Sequence, residues 1–304
     1  MNYDSSQQLI LGLVLAALIF GVALELRLAH FLLVLRRPLP ALLGLLCQCL
    51  LLPWLTFVAT LFLDLRPGLE LGMLLVAACP GGNLSNVITH LARGNTALSV
   101  SVTSLSSLLA ILSLPLNFAA TASLNPDTAA FLHGQMSSLD VDASGIIGGL
   151  VVLLVLPLLA GMAVGNLAPA FSARVLPWFK RFSLLAFGLF LVVAAAGNWQ
   201  LLVANAGLVL LVVVGHNAGA LLLGWSASRL TGLADADRRA LTIEVGMQNS
   251  GLALGLILTQ FGGQVDMALV AGFWGLWHIV SGLVLVAVWR RNPPRGKEEL
   301  SCAS

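Results

Sequence analysis

Charged residues are scarce in this sequence. They make up 9% of 304 residues, against 59% hydrophobic. A soluble domain carries roughly 25% charged residues, so a soluble fold is excluded. The net charge of +2 gives no reason to expect a nucleic-acid partner. No polar linker is long enough to delimit a second domain, so residues 1–304 read as one transmembrane unit. The only cysteines are Cys47, Cys49, Cys79 and Cys302. None has metal-ligand spacing, and the first three lie in apolar runs, where cysteine behaves as a small apolar residue. A phosphate-binding loop, an HExxH pair and a nucleophile elbow are all missing. No enzymatic activity and no cofactor are therefore expected. The first eight residues lack a positive region, so the N-terminus does not read as a cleavable signal.

What the chain does have is apolar runs of the ~20 residues that a spanning helix needs. Mean hydropathy is +0.97. The expected fold is an all-α polytopic membrane protein with nine transmembrane helices at 7–27, 38–62, 69–92, 95–121, 143–166, 175–197, 203–228, 239–261 and 267–289. Cytoplasmic loops carry the excess of Lys and Arg. With the N-terminus outside and the C-terminus in the cytoplasm, 14 basic residues fall inside and only Arg66 outside. A miscount of one span would scramble that split. The reading is a multi-pass protein of the cell (inner) membrane. The longest outer connection, 122–142, holds Asp127, Asp140 and Asp142 and reads as a solvated loop. Arg174, Trp178, Lys180 and Arg181 read as interfacial anchors of the sixth span, and Glu25 as an interfacial charge.

Two spans are interrupted. The third contains Cys79-Pro-Gly-Gly-Asn-Leu-Ser-Asn86, where Pro80 removes a donor and Gly81 and Gly82 weaken the helix further. The eighth contains Glu244-Val-Gly-Met-Gln-Asn-Ser-Gly251. A charge in hydrocarbon costs about 2.5–3.5 kcal/mol on insertion scales, so such residues mark function. The breaks occupy equivalent positions if spans 1–4 and 6–9 are inverted repeats. Paired interruptions in two halves are the strongest sequence pointer to a transporter binding site.

The side chains nearby offer oxygen. Ser85 and Asn86 follow the first break. Ser99 and Thr103 share a face of span 4 at i and i+4. Gln48 is the polar residue of span 2, and Glu244, Gln248 and unwound carbonyls come from span 8. One carboxylate among neutral oxygens is weak for a divalent ion and suits Na⁺; a proton cycling on Glu244 is the rival. Half-helix N-termini after Asn83 and near Asn249 favour an anionic cargo.

The stretches 79–100 and 244–253 together resemble the two signature motifs of the bile acid:sodium symporter family, and the resemblance runs over essentially the whole chain. It implies a core of spans 2–4 and 7–9 (38–121 and 203–289) and a panel of spans 1, 5 and 6 (7–27 and 143–197), with two broken helices crossing in the core. Some relatives have ten spans, and this chain is similar to the nine-span form. The resemblance implies two sodium sites. One comprises Ser85, Asn86, Ser99, Thr103 and Glu244. The other comprises Gln48, Glu244, Val245, Met247 and Gln248, with Val245 and Met247 lending carbonyls. Gly82, Asn83, Asn249 and His278 fall where family substrates bind. Asn83 and Ile279 depart from the commonest family residues, which points away from bile acid itself. The implied activity is sodium-coupled symport of an organic anion (bile-acid-like, pantoate-like or a keto acid) by alternating access.

Other polar residues admit two readings. His216 and Asn217 either line the cavity or pack helices, and the same choice applies to His278. Ser104, Ser106 and Ser107 extend the polar face of span 4 or serve close packing. A proton-coupled carrier or exporter of the same shape, or a membrane protein that binds a ligand without transporting it, are the alternative functions.

Overall fold

Lipid offers the backbone no hydrogen bonds, so a spanning segment must pair its own groups, and a helix does so residue by residue. The computed structural model describes residues 5–27, 34, 38–139, 143–197 and 199–292, and its regular elements are all helical. Arg36, Arg37, Asp140, Asp142, Arg295, Lys297 and Cys302 lie outside the described residues. In chain order the helices are α1 (Ser5–Ala23), α2 (Pro38–Leu46), α3 (Leu52–Leu63), α4 (Pro67–Ala78), α5 (Asn83–Leu91), α6 (Thr96–Leu124) and α7 (Pro126–Leu139). They continue with α8 (Ala143–Leu167), α9 (Pro169–Gly197), α10 (Trp199–Leu230), α11 (Asp235–Gly246), α12 (Ser250–Gln260) and α13 (Val265–Arg291). A π-helical turn, Cys47–Leu51, joins α2 to α3.

Among the described residues, four helical segments are long and apolar enough to cross a membrane unaided: Pro38–Leu63, Thr96–Leu124, Val203–Leu230 and Val265–Arg291. The interrupted stretches fall below that length because each is split into two short helices, α4 with α5 and α11 with α12. One expectation is corrected. Over 122–139 the stretch read as a loop is helical, since α6 runs on to Leu124 and α7 follows at once. Pro126 suits a first helical position, and Asn125 Oδ1 accepts from Asp127 N–H at 3.0 Å.

Helix α6 is fixed at both ends to the broken helices. At its start, Asn95 Nδ2 donates to Asp237 Oδ1 at 2.7 Å, and Asn95 N–H donates to Ala236 O at 2.9 Å. At its end, Asn125 Nδ2 donates to Glu70 Oε2 at 2.9 Å, while Glu70 Oε1 accepts from Leu65 N–H at 3.1 Å. Glu70 and Asp237, both buried, stand in the first turns of α4 and α11. Acidic groups there meet the positive end of the helix dipole. The helix that carries Ser99 and Thr103 is thus held in register with both breaks.

Two close approaches complete the frame. A Cβ at Gly224 would lie 2.7 Å from Leu241 O, so α10 runs tight against α11. A Cβ at Gly161 would lie 2.6 Å from Phe20 O, which brings α8 onto α1. Glu25 of the α1 end pairs with Lys180 of α9. Arg181 lies over the exposed Trp178 ring, 5.3 Å from its centroid, an arrangement that suits an interfacial anchor.

Arg239 staples three helix ends. It donates to Asp235 Oδ2 (2.8 Å), Ala92 O (3.0 Å), Trp289 O (3.2 Å) and Asn292 O (2.7 Å), and it is only 3% exposed. Arg239→Met would strand these acceptors. Asp235 is partly exposed and keeps Arg238, so the loss falls below the about 3–5 kcal/mol of a fully buried pair. The variant is expected to melt well below the wild type in detergent, and an unchanged melting temperature would remove the staple from the account.

Candidate functional site at the crossing of the broken helices

Helix α4 stops at Ala78 because Pro80 has no N–H and glycines follow it. The chain stays extended through Cys79 and Gly82 and turns helical again at Asn83. Helix α11 ends at Gly246, and α12 begins at Ser250 with Asn249 as its cap, the Asn249 Oδ1 accepting from Leu252 N–H at 3.0 Å. The two unwound segments meet antiparallel, with Gly81 bridging Gln248. Gly82 N–H donates to Met247 O at 3.1 Å, and Asn249 N–H donates to Pro80 O at 2.9 Å. Each backbone group freed by a break would cost several kcal/mol if left unpaired in lipid. Here the breaks satisfy each other. Asn217 Nδ2 also donates to Gly246 O at 2.7 Å. Asn217 thus makes a helix-packing bond through Nδ2, while its Oδ1 is buried with no hydrogen-bond partner among the described residues.

Glu244 sits directly behind this crossing and is fully buried. Its Oε2 accepts from Ser85 Oγ (2.6 Å) and Ser99 Oγ (2.8 Å), and its Oε1 accepts from Thr103 Oγ1 (2.6 Å). Asn86 Oδ1 lies 2.9 Å from Ser99 Oγ and 3.3 Å from Thr103 Oγ1. The same hydroxyls also reach backbone carbonyls, Ser85 to Gly82 O (2.7 Å) and Thr103 to Ser99 O (3.0 Å). Each hydroxyl has a single proton to give. The protons of Ser85, Ser99 and Thr103 therefore face two carboxylate oxygens, an amide oxygen and two backbone carbonyls. Oxygen lone pairs outnumber protons, which is the chemistry of a cation cage. Among the described residues, the ion pairs join Arg66 to Asp266, Lys180 to Glu25, and Arg238 and Arg239 to Asp235; none involves Glu244.

The second oxygen group is more open in its bonding. Gln48 lies in the π-helical turn, a feature common at functional sites. Pro53 cannot donate to Cys49 O, and Asn117 Nδ2 supplies that bond at 2.8 Å. Gln48 Nε2 donates to Gln248 Oε1 and to Cys79 O (3.3 Å). Gln248 Nε2 in turn donates to Val245 O at 3.0 Å. Gln48 Oε1 is buried and has no hydrogen-bond partner among the described residues. A buried oxygen without a donor fits a cation neighbour. The carbonyls of Val245 and Met247 each accept one bond, and each keeps a second lone pair.

Comparison with known proteins places the chain among transporters. The family described as the sodium bile acid symporter family matches residues 12–205. YocS of Bacillus subtilis, named as a sodium-dependent transporter, is 30% identical over 278 residues, 91% of this chain and 82% of the relative. BASS1 of Arabidopsis thaliana, a chloroplast protein named as a sodium/metabolite cotransporter, is 29% identical over 98% of this chain and 70% of its own length. The sodium-dependent organic anion transporter of Rattus norvegicus is 30% identical over 92% of this chain and 73% of its own.

This chain belongs to the sodium bile acid symporter family. It is accordingly a multi-pass membrane transporter and not an enzyme.

In this family member a small cleft of about 90 Å³ opens beside the crossing, with Pro80, Asn249, Gly251 and Ser107 in its wall. Asn249 thus reaches the cleft, whereas Gly82, Asn83 and His278 are not among its lining residues. Gly82 and Asn83 form the start of α5, and Gly82 is taken up by its bond to Met247. His278 is buried, and its Nδ1 bonds Trp274 O at 2.6 Å, one turn back on its own helix. His216 Nε2 meets Thr56 Oγ1 at 2.8 Å, and its ring packs edge-on to Trp274. The sequence reading gave Glu70 and Asp237 no role and counted Arg239 only among the inner-side basic residues. Their signal was present as charges at the ends of the broken spans, but their partners are distant in sequence.

Proposed function

We propose that the chain is a sodium-coupled symporter of a small organic anion that works by alternating access. The observation that carries this reading is Glu244, a buried carboxylate surrounded by hydroxyl and amide oxygens and, among the described residues, contacted by no cationic side chain. Sodium is cargo here. Glu244 with Ser85, Asn86, Ser99 and Thr103 would hold one ion, and Gln48, Gln248, Glu244 and the carbonyls of Val245 and Met247 a second. Both ions would bridge the crossing, so binding them orders the segments that present Gly82, Asn83 and Asn249 to the substrate. A ligand shifts a conformational equilibrium only by its differential affinity for the two states. Ion and anion at one crossing share that differential, and this couples them.

The fold reading is of the same kind. Nine spans, N-terminus outside and C-terminus cytoplasmic in the cell membrane, fit the charge distribution. The matched breaks support inverted repeats, with a core of 38–121 and 203–289 moving against a panel of 7–27 and 143–197. The half-helix starts at Asn83 and Ser250 support an anionic group on the cargo. The organic anion carried by the rat relative is in keeping with this.

The test is uptake of labelled organic anions into proteoliposomes, with choline replacing sodium at constant pH. Uptake is expected to fall to background in choline. A carrier driven by protons on Glu244 would keep working, and that result would overturn sodium coupling.

A further inference from the structure

The ends of α5 and α13 converge on one side chain. Ala92 O and Trp289 O both accept from Arg239 Nη1, and Asn292 O accepts from Nη2. Two carbonyls on one nitrogen bring the backbone of Arg93, which follows Ala92, close to that of Arg290, which follows Trp289. Arg291 comes next on α13. Arg93, Arg290 and Arg291 are all exposed, and among the described residues none of them makes an ion pair. The acids at the start of α11 are engaged elsewhere. Asp235 pairs with Arg238 and Arg239, and Asp237 accepts from Asn95.

A basic residue at a helix C-terminus ordinarily answers the last carbonyls of that helix. Arg239 fills that role for both helices here, so the three exposed arginines are left with charge to spare. The backbone of Arg93 is also unusual. Its φ of 57° is left-handed, a conformation that glycine adopts freely and other residues only at a cost. The surface of α13 shows what this charge borders. Gly282 and Val286 are buried against the core, whereas Leu283, Val284, Ala287 and Val288 are exposed. At i+4 and then i+3 spacing, Leu283 and Ala287 lead to Arg290, and Val284 and Val288 lead to Arg291. An apolar band that ends in a cluster of cations has the profile of a single lipid molecule, hydrocarbon along its length and phosphate at its head.

We propose that Arg93, Arg290 and Arg291 bind the phosphate of an anionic phospholipid whose acyl chains lie along the exposed band of α13. Guanidinium groups match phosphate oxygens in bidentate geometry. Basic pockets where transmembrane helices end are a recurrent form of headgroup site. In the topology proposed above, this end of the helices meets the cytoplasmic leaflet. The inference concerns neither the coupling ion nor the cargo, and it stands whichever ion drives transport. The node joins α5, α11 and α13, and the first two are halves of the broken spans. A lipid held here therefore stabilises the fold, which gives the site a readout besides transport.

The test is a thermal-shift titration of the purified full chain in detergent, with phosphatidylglycerol or phosphatidylcholine of the same acyl chains added. Phosphatidylglycerol is expected to raise the melting temperature at lower concentration than phosphatidylcholine. A triple variant, Arg93→Gln with Arg290→Gln and Arg291→Gln, should need over about tenfold more phosphatidylglycerol for the same shift, since each basic residue at an anionic surface contributes about fivefold. A control triple, Arg174→Gln with Arg181→Gln and Arg229→Gln, removes the same charge elsewhere on the same proposed side and should respond as the wild type does. Equal responses to the two lipids, equal losses in the two triples, or a shift that inorganic phosphate reproduces at the same concentration would each overturn the site. If the first triple does not fold, the three single variants are read by native mass spectrometry in an equal mixture of the two lipids. Retention of phosphatidylglycerol should fall in each, and unchanged retention in all three removes the site.

Discussion

Glu244→Gln is expected to abolish sodium-dependent uptake while leaving the protein folded in the membrane. Glutamine keeps the shape of the side chain, and its carbonyl can still accept from Ser85, Ser99 or Thr103. What it loses is the only formal charge in the cage. A buried charge is costly unless paired, so without sodium the variant should be as stable as the wild type or more stable. The difference appears on adding sodium. A ligand at a hundredfold excess over its Kd stabilises by about 2.7 kcal/mol. The wild type should gain a melting shift of that order, and the variant none. Both arms are read in one experiment, melting curves across a sodium titration with uptake measured in parallel. Full uptake by Glu244→Gln would falsify the assignment of the cage.

Gly81→Ala is expected to have the second largest effect. A Cβ at this position would collide with Glu244 Oε1. Gly81 also forms the bridge to Gln248 on the second broken helix, so its backbone cannot retreat without undoing the crossing. The added methyl must therefore push the carboxylate away from Thr103 Oγ1, its partner at 2.6 Å. We expect uptake to fall by at least tenfold and the sodium-dependent melting shift to shrink with it. Gly82→Ala makes the control. A Cβ there meets nothing closer than Gln248 O at 3.5 Å, an ordinary contact, so its effect on sodium stabilisation should be small. Equal losses in the two variants would mean that glycine serves chain flexibility here and not room for the carboxylate.

Much of the candidate site was legible before any coordinates. Pro80, Gly81 and Gly82 announced one break, and Glu244 to Gly251 announced the other. Residues rare in lipid stand out against an apolar background, so Gln48, Asn86 and Gln248 could be picked out one at a time. What could not be read was pairing. The bond from Asn117 to Cys49 O spans 68 positions, and that from Asn125 to Glu70 spans 55. Nothing local to either partner specifies the other. Helix ends were misjudged for a related reason. The polar stretch after span 4 read as loop because hydropathy falls there, yet Asn125 and Pro126 start a new helix with cap chemistry alone. His278 was a candidate for the substrate through the family resemblance, with a helix-packing bond as the other reading. Its bond to Trp274 O depends on how the side chain turns, which sequence does not record.

The sequence by itself determined that this chain lives in a bilayer and where two of its helices must break. Those properties follow from transfer free energies and from proline and glycine geometry, each of which acts on a residue and its near neighbours. Only the tertiary structure decided that the two breaks pair with each other and that, among the described residues, Glu244 receives three hydroxyls and no cation. These depend on which helices pack together and at what distance, and hydrogen bonds are sensitive to tenths of an ångström that no local preference can set.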